Sequence, residues 1–222
     1  MTQLEMLREG ARELGIELTA EQQNSMIVYA SELKKWNKKI NLTAITDNTE
    51  IIIKHFLDSL SYGTIIPLED KMSLIDIGSG AGFPAIPIKI AHHNSLEILM
   101  VETSKKKASF LRHIIRLLHL TDIEVIDARV ESIQNEYNEI FDLVTARAFA
   151  DVRTVVEVGT PLLKFGGHFI LSRGPEESAD DGILKRMNVE IIKKKDLILP
   201  GSDYRRTIWL LRKNARESGT EL

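Results

Sequence analysis

Residues 74–84 read LIDIGSGAGFP: an apolar run carrying one carboxylate, Asp76, opens into a loop with glycine at 78, 80 and 82. Glycines so placed let the main chain turn sharply and lie directly against a ligand. The neighbouring residues narrow the choice of ligand. A triphosphate loop requires G-x-x-x-x-G-K-[ST], and no Lys-Ser or Lys-Thr follows these glycines. A dinucleotide loop reads G-x-G-x-x-G. Here Phe83 stands where the third of those glycines belongs, and an aromatic ring there obstructs the close helix–strand contact that glycine permits. Pro84 follows and can open a helix, because a first-turn N–H has no partner to lose.

Glu102 comes about twenty residues further on, at the expected tip of the next strand, where a carboxylate can accept hydrogen bonds from two ribose hydroxyls. It supports a nucleoside cofactor and does not choose between NAD and S-adenosylmethionine (SAM). SAM carries no phosphate, so its loop need not form an anion site. Gly78, Gly80 and Gly82 can lie along its methionine part, and Asp76 can orient its ammonium group. In IDARVESI, Val130 and Glu131 fall just past a third strand, where main chain and carboxylate can read an adenine edge. Capping of a short helix by Asp127 and Glu131 is the alternative. In FDLVTARAFADV the strand is expected to end near Ala146, which puts Arg147 at the ligand-facing edge; a surface ion pair is the alternative there.

The order of elements favours SAM. Residues 1–64 read as helices: Leu4, Leu7, Ala11 and Leu14 recur at helical spacing before Gly15, Thr19-Ala-Glu-Gln22 fits a capping box, and Asp47-x-x-Glu50 opens a segment that stops at Gly63. From residue 73, apolar strands alternate with helices: SLIDI, LEILMV, IEVID, IFDLVTA and HFIL are the strands, with VRTVVEVGTPLLK helical before the last. VEIIKKKDLIL and YRRTIWLLRK are joined only by a short turn, so they should pair antiparallel at one edge. Five alternating units and a terminal hairpin describe a mostly parallel seven-stranded α/β sheet of the Rossmann-like SAM-dependent methyltransferase class, with a helical N-terminal extension.

Composition sets limits. The chain has 222 residues, 43% hydrophobic and 27% charged, which suits a soluble globular protein. No apolar run reaches the ~20 residues of a membrane span, and MTQLEMLREGAREL has no signal-peptide core. Absence of cysteine excludes disulfides, cysteine-ligated metal and a cysteine nucleophile. A cytoplasmic monomer without a metal centre or membrane partner is expected. The net charge of −3 hides basic clusters at 34–39, 105–107, 193–195 and 205–206, opposed by acids at 176–177 and 180–181. Lys105–Lys107 open a helix, where positive charge is locally unfavourable and an outside phosphate would relieve it. Trp36, among lysines, is expected to pack in the core.

Taken together, NKKINLTAI, HFLDSL, DIGSGAGFP, VETSKKKASFL, RVE, TARAFA and GGHFILSRGP resemble the RsmG family, the bacterial 16S rRNA guanine-N7 methyltransferases. The likeness runs over roughly residues 30–175. It implies a helical extension over 1–64 and a Rossmann-like methyltransferase domain over 65–222, packed as one unit. It implies SAM as donor, S-adenosylhomocysteine as product, and a guanine of the decoding region as acceptor, in 16S rRNA or a small ribosomal subunit particle. Cofactor contacts would fall on Gly78, Phe83, Val130, Glu131 and Arg147, with Glu102 at the ribose. Arg147 and Arg173 are candidates for holding guanine or phosphate, and Asn41, His55 and Asp58 for bordering the pocket. Ala85 stands where the family pattern has glycine. The inventory agrees with N7 chemistry: cytosine or uracil C5 methylation needs a cysteine, exocyclic amines commonly use an Asn/Asp-Pro-Pro-aromatic turn absent from TARAFA, and N7 needs no deprotonation. A methyltransferase of the same fold acting on another RNA, a protein or a small molecule remains the alternative.

Overall fold

The computed structural model describes residues 2–66, 71–92, 96–147, 150–174 and 181–215. Ala148 and Phe149 of TARAFA, Pro175 of SRGP, and the acids Glu176, Glu177 and Asp180 lie outside them. The N-terminal helices start where their caps are written. Thr2 and Glu5 cap each other at the head of α1 (Gln3–Glu13), and Thr19 and Gln22 do the same for α2 (Ala20–Ile40). Asn41 ends α2 in a left-handed conformation, φ 47°. Asp47 caps α3 (Asn48–Ile51), whose helix runs on through Ile52–Leu57 and α4 (Asp58–Ser61). The sequence predicts an even helix here. Instead Ile52–Leu57 is wound as a π-helix, a local widening that frees a carbonyl for outside use.

The alternating region follows as β1 (Met72–Ile77), α5 (Ala85–Ala91), β2 (Leu96–Val101), α6 (Lys105–Leu117), β3 (Ile123–Ile126), α7 (Val130–Ile133), β4 (Phe141–Thr145), α8 (Val152–Gly159), β5 (Leu163–Arg173), α9 (Asp181–Arg186), β6 (Val189–Ile198) and β7 (Arg205–Lys213). The sheet order is β3-β2-β1-β4-β5-β7-β6. β1 to β5 are mutually parallel; β7 runs antiparallel between β5 and β6. This is the expected seven-stranded arrangement. One boundary moves: the helix before β5 stops at Gly159, and β5 starts at Leu163 rather than His168. Leu163 already pairs with Phe141, and a register shift around Gly166, φ 78°, carries the strand on to the His168–Leu143 pair.

Successive strand residues bury on opposite faces. Leu74, Ile98, Met100, Leu143, Ile170 and Leu210 face one core, while Ile75, Leu99, Val101, Val144, Phe169 and Trp209 face the other. The first core includes Leu7, Met26, Tyr29, Leu33 and Phe56 from the N-terminal helices. Tyr29 bonds Ala81 in the loop after β1 and Tyr62 bonds Ser172 near the end of β5, so these helices reach the carboxyl ends of the strands. Trp36 is part-buried between α2 and α6, 5.6 Å from Phe110 and 5.1 Å from His113, ring centre to ring centre. Ala85 is fully buried in α5, so its methyl is packed in the core.

Candidate active site

A cavity of about 580 Å³ opens at the carboxyl ends of β1 to β4, where open α/β sheets bind ligands. Its floor is the glycine loop. Gly78, Gly80 and Gly82 have φ of 70°, 57° and 90°, a region side chains avoid. At Gly82 packing adds a second requirement: a Cβ would stand 2.6 Å from both Ile86 Cδ1 and the Tyr29 hydroxyl. Tyr29 uses that hydroxyl to donate to the Ala81 carbonyl, so α2 holds the loop from behind. Phe83 is clasped between two parallel rings, Tyr29 at 5.1 Å and His55 at 4.5 Å.

The loop's N–H groups are turned inward. Gly78 and Ser79 donate to the Val101 carbonyl at 2.9 and 3.1 Å, and Gly82 donates to Ser79 O at 2.7 Å. Gly80 donates to Glu102 Oε2 at 2.8 Å, and Ser104 N–H donates to Oε1 at 2.8 Å. A pyrophosphate needs a cluster of free N–H groups; here those four are engaged and a carboxylate lies against them. The loop suits a cofactor without phosphate. Each Glu102 oxygen keeps a lone pair for a ribose hydroxyl. Asp76 is fully buried beneath the loop, and neither carboxylate oxygen has a hydrogen-bond partner among the described residues. Burial pushes its carboxyl up to about 7, with Ser79 and Arg147 pulling it down and Glu102 pushing it up. An orphaned buried carboxylate below the loop fits a cationic ligand above it.

On the β4 side stands Arg147. Its Nη1 donates to the Lys54 carbonyl at 2.9 Å and to Asp58 Oδ2 at 3.2 Å, and its Nη2 to His55 Nδ1 at 2.9 Å. The π-helical stretch makes the first bond available. Asp58 N–H donates to Ile53 O and His55 O, skipping the Lys54 carbonyl that α-helical spacing would use. Asp58, 3% exposed, also accepts from Arg206 Nε at 3.0 Å. Burial, then the Arg147 charge, holds the His55 imidazolium pKa down to about 3, so the ring is neutral.

Of the residues marked in the sequence, Gly78, Gly80, Phe83, Glu102, Val130, Glu131, Arg147 and His55 line the cavity. Gly82, Asp76 and Asp58 sit behind its wall. Asp127 pairs with Arg112 at 3.0 Å instead of capping α7. Asn41 lies outside the wall; its left-handed turn delivers Leu42 and Thr43 to the lining instead. Arg173 is buried at the end of β5, donates to the Ala150 carbonyl at 2.8 Å, and does not line the cavity. Sequence reasoning missed Tyr29, Asn37, Thr43 and Arg206. Asn37 and Thr43 both lie in NKKINLTAI and Arg206 in the basic pair 205–206, but only the structure shows what they touch: Asn37, in the last turn of α2, receives the N–H groups of Leu42 and Thr43 on its side-chain oxygen at 2.6 and 2.9 Å.

The GidB family profile, described as rRNA small subunit methyltransferase G, matches residues 22–206. The chain is 41% identical to ribosomal RNA small subunit methyltransferase G of Geotalea uraniireducens, over 96% of this chain and 98% of that one. It is 39% identical to the protein of the same description from Macrococcus caseolyticus, over 89% and 84%. The chain belongs to the rRNA small subunit methyltransferase G family. As a member it is a SAM-dependent rRNA methyltransferase. The fold agrees: a SAM-dependent methyltransferase from Aquifex aeolicus superposes with TM-score 0.57 at 13% identity, over 82% of this chain and 98% of that one. The M. jannaschii TYW2 structure in complex with AdoMet gives 0.52 at 12% identity, over 66% and 71%.

Proposed function

We propose that the protein transfers the methyl group of SAM to N7 of a guanine in the decoding region of 16S rRNA, by in-line displacement and without a general base. One observation carries this reading: among the described residues lining the cavity, no side chain at the β4 end is placed to take a proton. His55 is neutral and spends its Nδ1 lone pair on Arg147. Glu102 has a loop N–H on each oxygen, and Glu131 stands at the far end, past β3. Exocyclic amines and ring carbons lose a proton on methylation; guanine N7 attacks through an in-plane lone pair and loses none. Absence of cysteine independently removes the covalent route to C5 of a pyrimidine.

SAM supplies a methyl on a positively charged sulfur, which departs neutral as S-adenosylhomocysteine. The chain's work is positional. Val130 and Glu131 at the β3 tip and Glu102 at the β2 tip hold the nucleoside, the glycine loop bears the methionine part, and Arg147, His55 and Phe83 close the other end against water. Holding two reactants in line is worth roughly 7–11 kcal/mol of barrier. The guanine must come from a loop or be flipped out of a helix to enter. Lys107 and Arg129 on the rim can engage the flanking phosphates.

The test uses small-subunit particles from cells lacking this protein. Incubation with enzyme and SAM should introduce one methyl group per particle, and borohydride–aniline treatment should then cut the RNA at one guanosine. Methyl incorporation without scission overturns the N7 assignment.

A further inference from the structure

Thr43 was not marked as a site residue by sequence reasoning, yet it lines the cavity and is held through both its main chain and its side chain. Its N–H donates to Asn37 Oδ1 at 2.9 Å, and its carbonyl accepts from Asn37 Nδ2 at 2.8 Å. Its side-chain oxygen accepts from Ile45 N–H at 3.0 Å and lies 2.9 Å from His55 Nε2. Arg147 can only donate, so its bond to His55 Nδ1 makes that nitrogen the acceptor. The neutral ring then carries its proton on Nε2 and donates it to Thr43. Both lone pairs of the Thr43 oxygen are filled. What remains is the hydroxyl proton, which has no acceptor among the described residues, on a side chain that lines the cavity.

Sheet order places this donor. Val130 and Glu131 follow β3, Glu102 follows β2, the glycine loop follows β1, and Arg147 follows β4, in the spatial order β3-β2-β1-β4. The adenosine end of the cofactor belongs on the β3 and β2 side. Thr43, bonded through His55 to Arg147, is therefore at the opposite, acceptor end. We infer that the Thr43 hydroxyl reads the acceptor base by donating to guanine O6, with His55 as the positioning residue that turns it toward the cavity. The guanidinium at the head of the Arg147–His55–Thr43 chain polarises each bond in the same sense, which strengthens the last donor. Guanine presents two acceptors beside each other, N7 and O6, where adenine presents N7 and an amino donor. A hydroxyl with only a proton to offer accepts the first edge and rejects the second.

This inference rests on the guanine-N7 reading. Its test uses small-subunit RNA carrying either guanosine or 2,6-diaminopurine riboside at the methylated position; the latter keeps N7 and replaces O6 by an amino group. Wild-type enzyme should prefer guanosine by roughly 10–100-fold in kcat/KM. Thr43→Val should bind SAM with wild-type affinity by calorimetry and lose most of that preference, through a lower rate on guanosine. Thr43→Ser should restore it. Equal rates of the wild-type enzyme on the two RNAs overturn the inference without any variant. So does a Thr43→Val preference equal to wild type, a loss of SAM affinity matching the loss of turnover, or no rescue by serine. Failure of the wild-type enzyme to yield borohydride–aniline scission on the guanosine RNA instead removes the N7 reading itself.

Discussion

Replacing Asp76 by asparagine removes one buried ionisation while keeping the shape of the side chain. The carboxyl of Asp76 is raised from 3.8 to about 7, chiefly by burial. A shift of that size, at about 1.4 kcal/mol for each pH unit, is on the order of 4 kcal/mol. The unfolded chain gives up this proton near pH 4, and the folded, ligand-free protein near pH 7. Between the two the folded state binds more protons than the unfolded state, so its stability falls as pH rises through the window and levels off above it. Tyr29 and Tyr62, which also face this carboxylate, stay protonated throughout because burial raises both. Urea denaturation of ligand-free wild type and Asp76→Asn, from about pH 4.5 to about pH 8.5, isolates the group. The wild-type curve should fall by several kcal/mol more than the variant's. A cationic cofactor favours the ionised carboxylate, so SAM binding near pH 6.5 should release up to one proton. Calorimetry in buffers of different ionisation heat would detect it, and it should vanish in the variant. Two stability curves that run parallel across the window would refute the reasoning.

The Arg147–Asp58–Arg206 cluster makes a second prediction. Breaking a buried pair costs about 3–5 kcal/mol, but the arginine side chains are 17% and 27% exposed; Asp58→Asn should cost about 2–3 kcal/mol and lower the melting temperature by roughly 5–10 °C, with weaker SAM binding by calorimetry. Gly82→Ala puts a methyl 2.6 Å from the Tyr29 hydroxyl and Ile86 at a φ of 90°; about 2–4 kcal/mol of stability should be lost, and a thermal melt that does not move would contradict the packing. Lys107→Ala and Arg129→Ala should each weaken small-subunit RNA binding and reduce the slope of log affinity against log salt by about one, as read by filter binding across a salt series.

Much of the scaffold was legible because local signals agree with tertiary need. Thr2–Glu5 and Thr19–Gln22 are capping boxes in sequence and in structure, and the strand–helix alternation from residue 73 leads directly to the sheet. The glycine loop, Glu102 and Arg147 were legible for a different reason: each follows a strand, and a parallel sheet gathers its strand tips. What was hidden depends on contacts between distant segments. Nothing local marks Arg206 as the second partner of Asp58, 148 positions away. The π-helical winding of Ile52–Leu57 has no composition of its own; it is a response to packing, and it becomes visible only when the Lys54 carbonyl meets Arg147. The early start of β5 was masked by VRTVVEVGTPLLK, whose apolar spacing suits a helix up to Gly159 and a strand after Pro161.

The hidden contacts share a direction: they tie the N-terminal helices to the carboxyl ends of β4 and β5 and to the amino end of β7, which lies beside them. On the proposed cofactor side, Glu102 and the Val130-Glu131 pair stand at strand tips, while Tyr29 of α2 braces the glycine loop. The acceptor side is different. Thr43 comes from the turn after α2, His55 from the π-helical stretch, and Arg147 from β4, and each is oriented by the others. A sheet without the helical extension would keep the glycine loop but lose both rings that clasp Phe83, the carbonyl that anchors Arg147, and the hydroxyl at the acceptor end. Under the proposed function, base selection draws on the helical extension and cofactor binding chiefly on the strand tips, with Arg147 touching both sides. It follows that changes in the turn after α2 should alter which base is methylated before they alter SAM affinity, whereas changes at Arg147 must alter both.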